Sequence, residues 1–385
     1  MKPDRRSFLQ GAALLAMPRV LFAQAATERR FIFIIQRGAA DGLHTVIPYA
    51  EPAYGALRGA LAVDTARVLK LDGSFALHPT LTELHRLYRV NEASFIHAVA
   101  SPYRERSHFD GQNVLETGGS TPHGLKDGWL NRLLGLLQRT GKDAIAFAPS
   151  VPLAMRGAIE VTSYATSSLP QASDDLLLRV EQLYSRDAQL HALWSSALEA
   201  RNMAGGTRNG MGGGANRQDS AALGRMAASF LARADGPRLA MIETSGWDTH
   251  SAQDRRLPLQ LHALDSLIGG LQEGLGAAWL DTVILVATEF GRTVAANGTG
   301  GTDHGTGAVA MLAGGAVEGG RIITDWPGLA PENLLDGRDL KPTLGLDALI
   351  ATVCAEAFRL NLQPTALALF PDSKPGKPLP QLLRA

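Results

Sequence analysis

The segment Phe31–Gln36, FIFIIQ, constrains this chain more than any other. It is a continuous apolar β run without polar alternation, as expected of a strand buried on both faces. Similar short runs recur at Ser94–Val99, Ala144–Phe147, Leu239–Glu243, Thr282–Ala287 and Ala308–Leu312. Between them lie stretches with helical spacing, at Pro79–Val90, Lys126–Arg139, Leu176–Ala200, Ala221–Ala234 and Leu257–Leu275. Strands separated by helices predict an α/β fold with a mainly parallel central sheet sandwiched by helices.

A chain of 385 residues can hold one such unit with insertions, and 26–385 is read as a single α/β domain. The Gly-rich stretch 202–214 (NMAGGTRNGMGGG) lies between two helical runs and reads as a mobile surface loop within it. Residues 1–25 read as a twin-arginine signal peptide. Arg5-Arg6 is followed by Phe8-Leu9, then by an apolar stretch Gly11–Leu21 and an Ala23-Gln24-Ala25 cleavage site. The bland alternative is a frayed terminus with a chance arginine pair. Pro18 and Arg19 interrupt the apolar stretch, which is too short to span a bilayer. The expectation is export to the periplasm or the medium through the twin-arginine machinery, with no stable membrane anchor.

Lys plus Arg and Asp plus Glu are both 37, so net charge gives no reason to expect nucleic acid as a partner. The one cysteine, Cys354, precludes an intramolecular disulfide and reads as a small buried hydrophobe in Leu346–Leu360.

In sheets of this kind ligands gather beyond the carboxyl ends of the strands. After Phe31–Gln36 come Arg37 and Asp41, the latter before a glycine, as in a simple turn pair. After Leu239–Glu243 come Asp248 and His250, which can reach one cation or can be a loop acid beside a solvated ring. After Thr282–Ala287 come Glu289 and Arg292, which can also pair with each other. Asp303 and His304 follow a glycine-rich stretch and precede the run Ala308–Leu312. These side chains offer oxygen and nitrogen donors without thiolate. That set suits a divalent metal, zinc or manganese foremost, as one or two ions.

Ser94–Val99 is followed by Arg104, Arg106, Ser107, His108 and Asp110 at a helix start. Ser107 with Asp110 fits a capping box. It also fits a nucleophile at a helix N-terminus, where free N–H groups favour an anionic ester and a metal lowers the hydroxyl pKa. His108 stays open between the site and a packing role.

Four motifs carry a resemblance: RGAADGLHTVIPY at 37–49, RSHFDGQNVLETG at 106–118, ETSGWDTH at 243–250 and ATEFGRTVAANGTGGTDHG at 287–305. Together they resemble the bacterial domain of unknown function 1501. That family looks like part of the alkaline-phosphatase-like superfamily of phosphatases and sulfatases. The resemblance implies Asp41, Asp248, His250, Glu289 and His304 as metal ligands, with Asp303 beside them, and Ser107 as nucleophile. It implies a metal-dependent hydrolase or transferase of phosphate or sulfate esters, acting on a small-molecule or glycan ester. Arg37, Arg106 or Arg292 would stabilise charge on the transferring group. Phe290 stands where the superfamily often has histidine, and Ser101-Pro102-Tyr103-Arg104 misses the sulfatase signature by one position. The alternative is a non-catalytic, metal-stabilised binding protein on the same scaffold.

Overall fold

The computed structural model describes residues 27–165, 180–195 except 182, 186 and 188, 220–372 and 379–385. The signal segment 1–25 and the Gly-rich stretch 202–214 lie outside the described residues, as does part of the helical run 176–200.

Nine strands form one sheet: β1 (Arg30–Gln36), β2 (Ala93–Ala100), β3 (Ala144–Phe147), β4 (Thr162–Ser163), β5 (Leu239–Thr244), β6 (Thr282–Thr288), β7 (Ala308–Ala313), β8 (Arg321–Ile323) and β9 (Leu344–Gly345). Their order is β8-β2-β7-β6-β1-β5-β3-β4, with β9 also paired to β2. The pairings are parallel throughout except those of β7, which runs antiparallel to both β2 and β6. In register, Phe31 of β1 lies opposite Leu239 of β5 and Val283 of β6. A second, three-stranded sheet joins Val46–Ile47, Ala76–Leu77 and Leu69–Lys70.

Every residue of β1 is buried, which explains its lack of polar alternation. Phe31, Phe33 and Ile35 face one layer, where Trp129 meets Phe33 edge-on at 5.1 Å between ring centroids. That layer contains α3 (Trp129–Leu136), α6 (Leu346–Ala357) and α7 (Leu362–Leu369). Ile32 and Ile34 face the other, built from α1 (Thr82–Arg89), α4 (Ser220–Leu231) and α5 (Gln253–Leu275). A helix α2 (His108–Thr117) follows β2. The α1 start is fixed from outside its own sequence. Asp265 of α5 accepts from the N–H groups of Glu83 and Leu84, 2.9 Å each, where the helix dipole favours a carboxylate. Cys354 is free and fully buried, and burial pushes its thiol pKa up.

This is the expected architecture, an α/β sandwich around a largely parallel sheet. Among the described residues no helix is long and apolar enough to cross a membrane.

Candidate metal centre

Strand direction assembles the site. The carboxyl ends of β1, β2, β5 and β6 share one edge of the sheet, and the reversed β7 begins at that same edge. Trp247-Asp248 and His250 leave β5, Glu289 leaves β6, His304 precedes β7, and His108 opens α2 beyond β2.

One donor atom from each of His108, Asp248 and His304 falls within 4.8 Å of the other two. The Nε2 of His250 lies 3.1 Å from Asp248 Oδ1 and 3.0 Å from His304 Nε2. Each ring is tied through its other nitrogen. His108 Nδ1 meets Glu289 Oε1 at 2.8 Å, His304 Nδ1 meets the Arg106 carbonyl at 2.9 Å, and His250 Nδ1 meets Asp303 Oδ1 at 3.0 Å. A carbonyl or carboxylate oxygen only accepts, so each neutral ring carries its proton on Nδ1 and keeps its lone pair on Nε2. The Nε2 of His108 is buried without a hydrogen-bond partner, 3.6 Å from Asp248 Oδ2. Two lone pairs 3.0 Å apart, an orphaned third nitrogen and a carboxylate call for a shared cation. The tethered imidazoles have the outer support usual for metal-bound histidine. The donor set therefore fits a nitrogen- and oxygen-ligated divalent metal.

The charges are arranged to match. Partial burial opposes ionisation of Asp248, but the hydrogen bond and charge of Arg292 prevail and hold its carboxyl below the usual range. Burial also disfavours the Glu289 carboxylate, yet hydrogen bonds from His108, Gln112 and Gly38 keep it low. The Glu289 hydrogen bond raises the pKa of His108, whereas burial lowers that of His304. Asp248 and His250 remain almost half exposed, so the cluster opens to solvent.

Of the expected ligands, Asp248, His250 and His304 are brought together. Glu289 and Asp303 sit one step behind, holding rings. The carboxylate of the fully buried Glu289 is hydrogen-bonded to Gly38, His108, Gln112 and Thr288. Asp41, also expected as a ligand, has other partners. It is buried in a two-pronged pair with Arg58, at 2.5 and 2.9 Å, and also receives Gln253 and the His44 N–H. Its oxygens are engaged by the turn Gly42–Thr45, by Gln253 and by a guanidinium, and it is not one of the three residues whose donors converge.

The capping box is not formed. Ser107 is the N-cap of α2 but makes no side-chain cap bond, and its own N–H donates to the Tyr103 hydroxyl at 3.1 Å. Ser107 stands between Arg106, whose carbonyl holds His304, and His108. The three arginines are all engaged. Arg37 pairs with Glu116 and Glu243, and Arg106 with Asp339. Arg292 pairs with Asp248, not with Glu289, and also donates to the carbonyls of Gly38, Ala39 and Thr302. It is fully buried and works as a clamp between loops.

His108 is the residue whose place the sequence left open; its signal was its position beside Ser107 at a helix start. Phe290 stacks on the His108 ring at 5.2 Å and 22°. Two glycines permit the close approach of these loops. Gly38 has φ +119, and a Cβ there would lie 2.7 Å from the Asp248 nitrogen. A Cβ on Gly301 would lie 2.3 Å from the backbone carbon of His250.

Several solved structures share a similar course of chain at low identity. Ps i-CgsB in complex with k-i-k-neocarrahexaose matches at 13% identity and TM-score 0.42, covering 88% of this chain and 73% of that one. The C-terminal periplasmic domain of EcEptC from Escherichia coli matches at 10% and 0.40, covering 93% of each. The PsFucS1 sulfatase from Pseudoalteromonas sp. matches at 12% and 0.36, covering 95% and 76%. No curated protein matches the sequence. Residues 28–367 match the family model described as "Protein of unknown function (DUF1501)", and the chain belongs to that family.

Proposed function

We propose that this protein is a metal-dependent hydrolase of phosphate or sulfate esters, with Ser107 as nucleophile. The observation that carries the reading is the convergence of tethered imidazoles, one with an orphaned Nε2, on Asp248 at the open edge of the sheet. His108, Asp248 and His304 would hold the cation, with His250 alongside. Zinc or manganese suits these donors, and one ion is enough to satisfy them. A bound divalent ion supplies charge neutralisation at the ester oxygens and lowers the pKa of a nearby hydroxyl.

The chain's own groups do the rest. Ser107 Oγ gives up its proton to solvent and bonds to phosphorus or sulfur. The ester oxygen departs with the bonding pair and takes up a proton. Water then cleaves the seryl ester, releasing the inorganic anion and restoring the hydroxyl. Glu289, Asp303 and the Arg106 carbonyl keep the three rings in their productive tautomers, so no reorientation is needed during turnover. Export through the twin-arginine route, to the periplasm or beyond, belongs to the same proposal and rests on the residues 1–25 motif. The substrate would be a small-molecule or glycan ester.

The test is turnover of aryl phosphates and sulfates by chelator-stripped protein, before and after addition of Zn²⁺ or Mn²⁺. Ser107→Ala should abolish turnover and keep the rise in melting temperature on metal addition. Turnover surviving that change removes Ser107 from the reaction. A second reading, a metal-stabilised binder without chemistry, is favoured by the engagement of Arg37, Arg106 and Arg292 with carboxylates. Under it, metal raises the melting temperature of wild-type protein and no ester is cleaved.

A further inference from the structure

Each guanidinium reaching the cluster or its tethers is already matched by acid. Arg292 lies on Asp248, Arg37 between Glu116 and Glu243, and Arg106 and Arg338 both on Asp339. Glu289 and Asp303, the carboxylates that tether His108 and His250, make no direct ion pair with an arginine among the described residues, although the charge of Arg338 acts on Asp303. With neutral rings, these six named carboxylates face the four named guanidiniums, an acidic excess of two among the described residues. The buried Asp41–Arg58 pair cancels itself. Asp336, on Arg106 at 3.5 Å, is 71% exposed and screened by water.

One divalent cation cancels that excess. The loaded pocket is then close to neutral, and among the described residues each of the four guanidiniums named above already has a carboxylate. A first negative charge on a substrate is met by the ion itself. A second has no partner. It faces the like charge of Asp248, which already shares the ion, and of the nearby Glu289 and Asp303.

Resting on the ester-hydrolase reading above, we infer that the site selects singly charged esters over doubly charged ones. Sulfate monoesters and phosphate diesters carry one charge, and phosphate monoesters carry two above their second ionisation. The selectivity resides in the absence of a free guanidinium. It therefore predicts what freeing one does. Glu243 is partly exposed and is one of two acids on Arg37, so Glu243→Gln removes one charge and leaves the Arg37–Glu116 pair in place.

The experiment compares aryl esters with one leaving group on metal-loaded protein, at a pH above the second ionisation of the phosphate monoester. The sulfate or the diester should exceed the monoester in kcat/KM by at least about tenfold, the scale of one unmatched charge at a partly exposed site. Glu243→Gln should narrow that ratio by about threefold or more, chiefly through KM for the dianion. A parallel measurement needs no catalysis: benzenesulfonate should raise the melting temperature of metal-loaded protein more than phenylphosphonate does at the same pH. A monoester turned over as well as the others overturns the inference. So do equal melting shifts, absent shifts included. Lack of any turnover together with a larger shift for benzenesulfonate fails the hydrolase reading and leaves the charge selection standing, whereas a larger shift for phenylphosphonate overturns it.

Discussion

The Nε2 atoms of His250 and His304 lie 3.0 Å apart, while the Nδ1 of each ring is committed to an oxygen. Two facing lone pairs at that distance repel. The arrangement is stable only with a cation or a proton to share, and the adjacent Asp248 favours either. Chelator-stripped protein should therefore melt lower than metal-loaded protein. Free Zn²⁺ at a hundred times its Kd should add about 2.7 kcal/mol by mass action. His304→Ala should lose most of that response. A melting temperature indifferent to both metal and chelator would remove the cation from the site.

Glu289 acts on the site through His108. Glu289→Gln keeps the shape of the side chain but replaces one acceptor oxygen with a donor, so His108 is no longer held by a full carboxylate. Metal affinity should fall by about 10–100-fold, as when outer partners of ligating histidines are changed, with urea unfolding little altered. Calorimetric titration of the ion reads this directly. An unchanged Kd would mean that the His108 ring is fixed by Phe290 stacking alone.

Arg58 and Asp41 form a fully buried pair. Burial works against the Asp41 carboxylate, but the charge and hydrogen bonds of Arg58 hold its pKa below the usual range. Arg58→Met leaves that carboxylate buried without its counter-ion, at a cost of about 3–5 kcal/mol in urea denaturation. The group is depressed in the folded state, so its contribution is complete above the unfolded carboxylate pKa. It is lost as pH falls through the lower folded value. A variant of wild-type stability would show that the pair is not an obligate one.

His97 adds a second acid sensitivity of the same sign, at higher pH. Its Nε2–H donates to the Val46 carbonyl at 3.0 Å and its Nδ1 accepts from the Ala98 N–H at 2.8 Å, so both nitrogens are used by the neutral ring. Burial pushes its pKa down from 6.5 to about 4, and His44 and His78 are lowered to about 4 as well. Between those limits the unfolded chain binds more protons than the folded one. Stability should thus fall on acidification, by about 1.4 kcal/mol per pH unit for each ring. His97→Gln should lessen the slope of unfolding free energy against pH across that window. An identical slope would exclude His97 as a source.

Six strands were legible because burial on both faces leaves unbroken apolar runs, β2 extending beyond its run by one residue at each end; the short, half-buried β4, β8 and β9 carry no such run and were not. The reversed direction of β7 was not, since an apolar run has no sense of direction. Strand ends also pointed to Asp248, His250 and His304, whose side chains do meet. What a local pattern cannot convey is which distant group satisfies a side chain. Arg58 takes Asp41 from 17 positions away, and Glu289 reaches His108 across 181. Tether and ligand look alike in sequence. Only the placement of the opposing nitrogen separates them.

The reversal of β7 has one further result. The connection from β6 leaves and re-enters the sheet at a single edge, and Arg292 and His304 bridge across it only twelve positions apart. His108 and Asp248 are 140 positions apart. By loop-closure entropy, the shorter junction costs about 2 kcal/mol less to form in an unfolded chain. Glu289, Arg292, Asp303 and His304 thus belong to one local hairpin-like unit of the chain, which β5 and α2 meet only through long-range contacts.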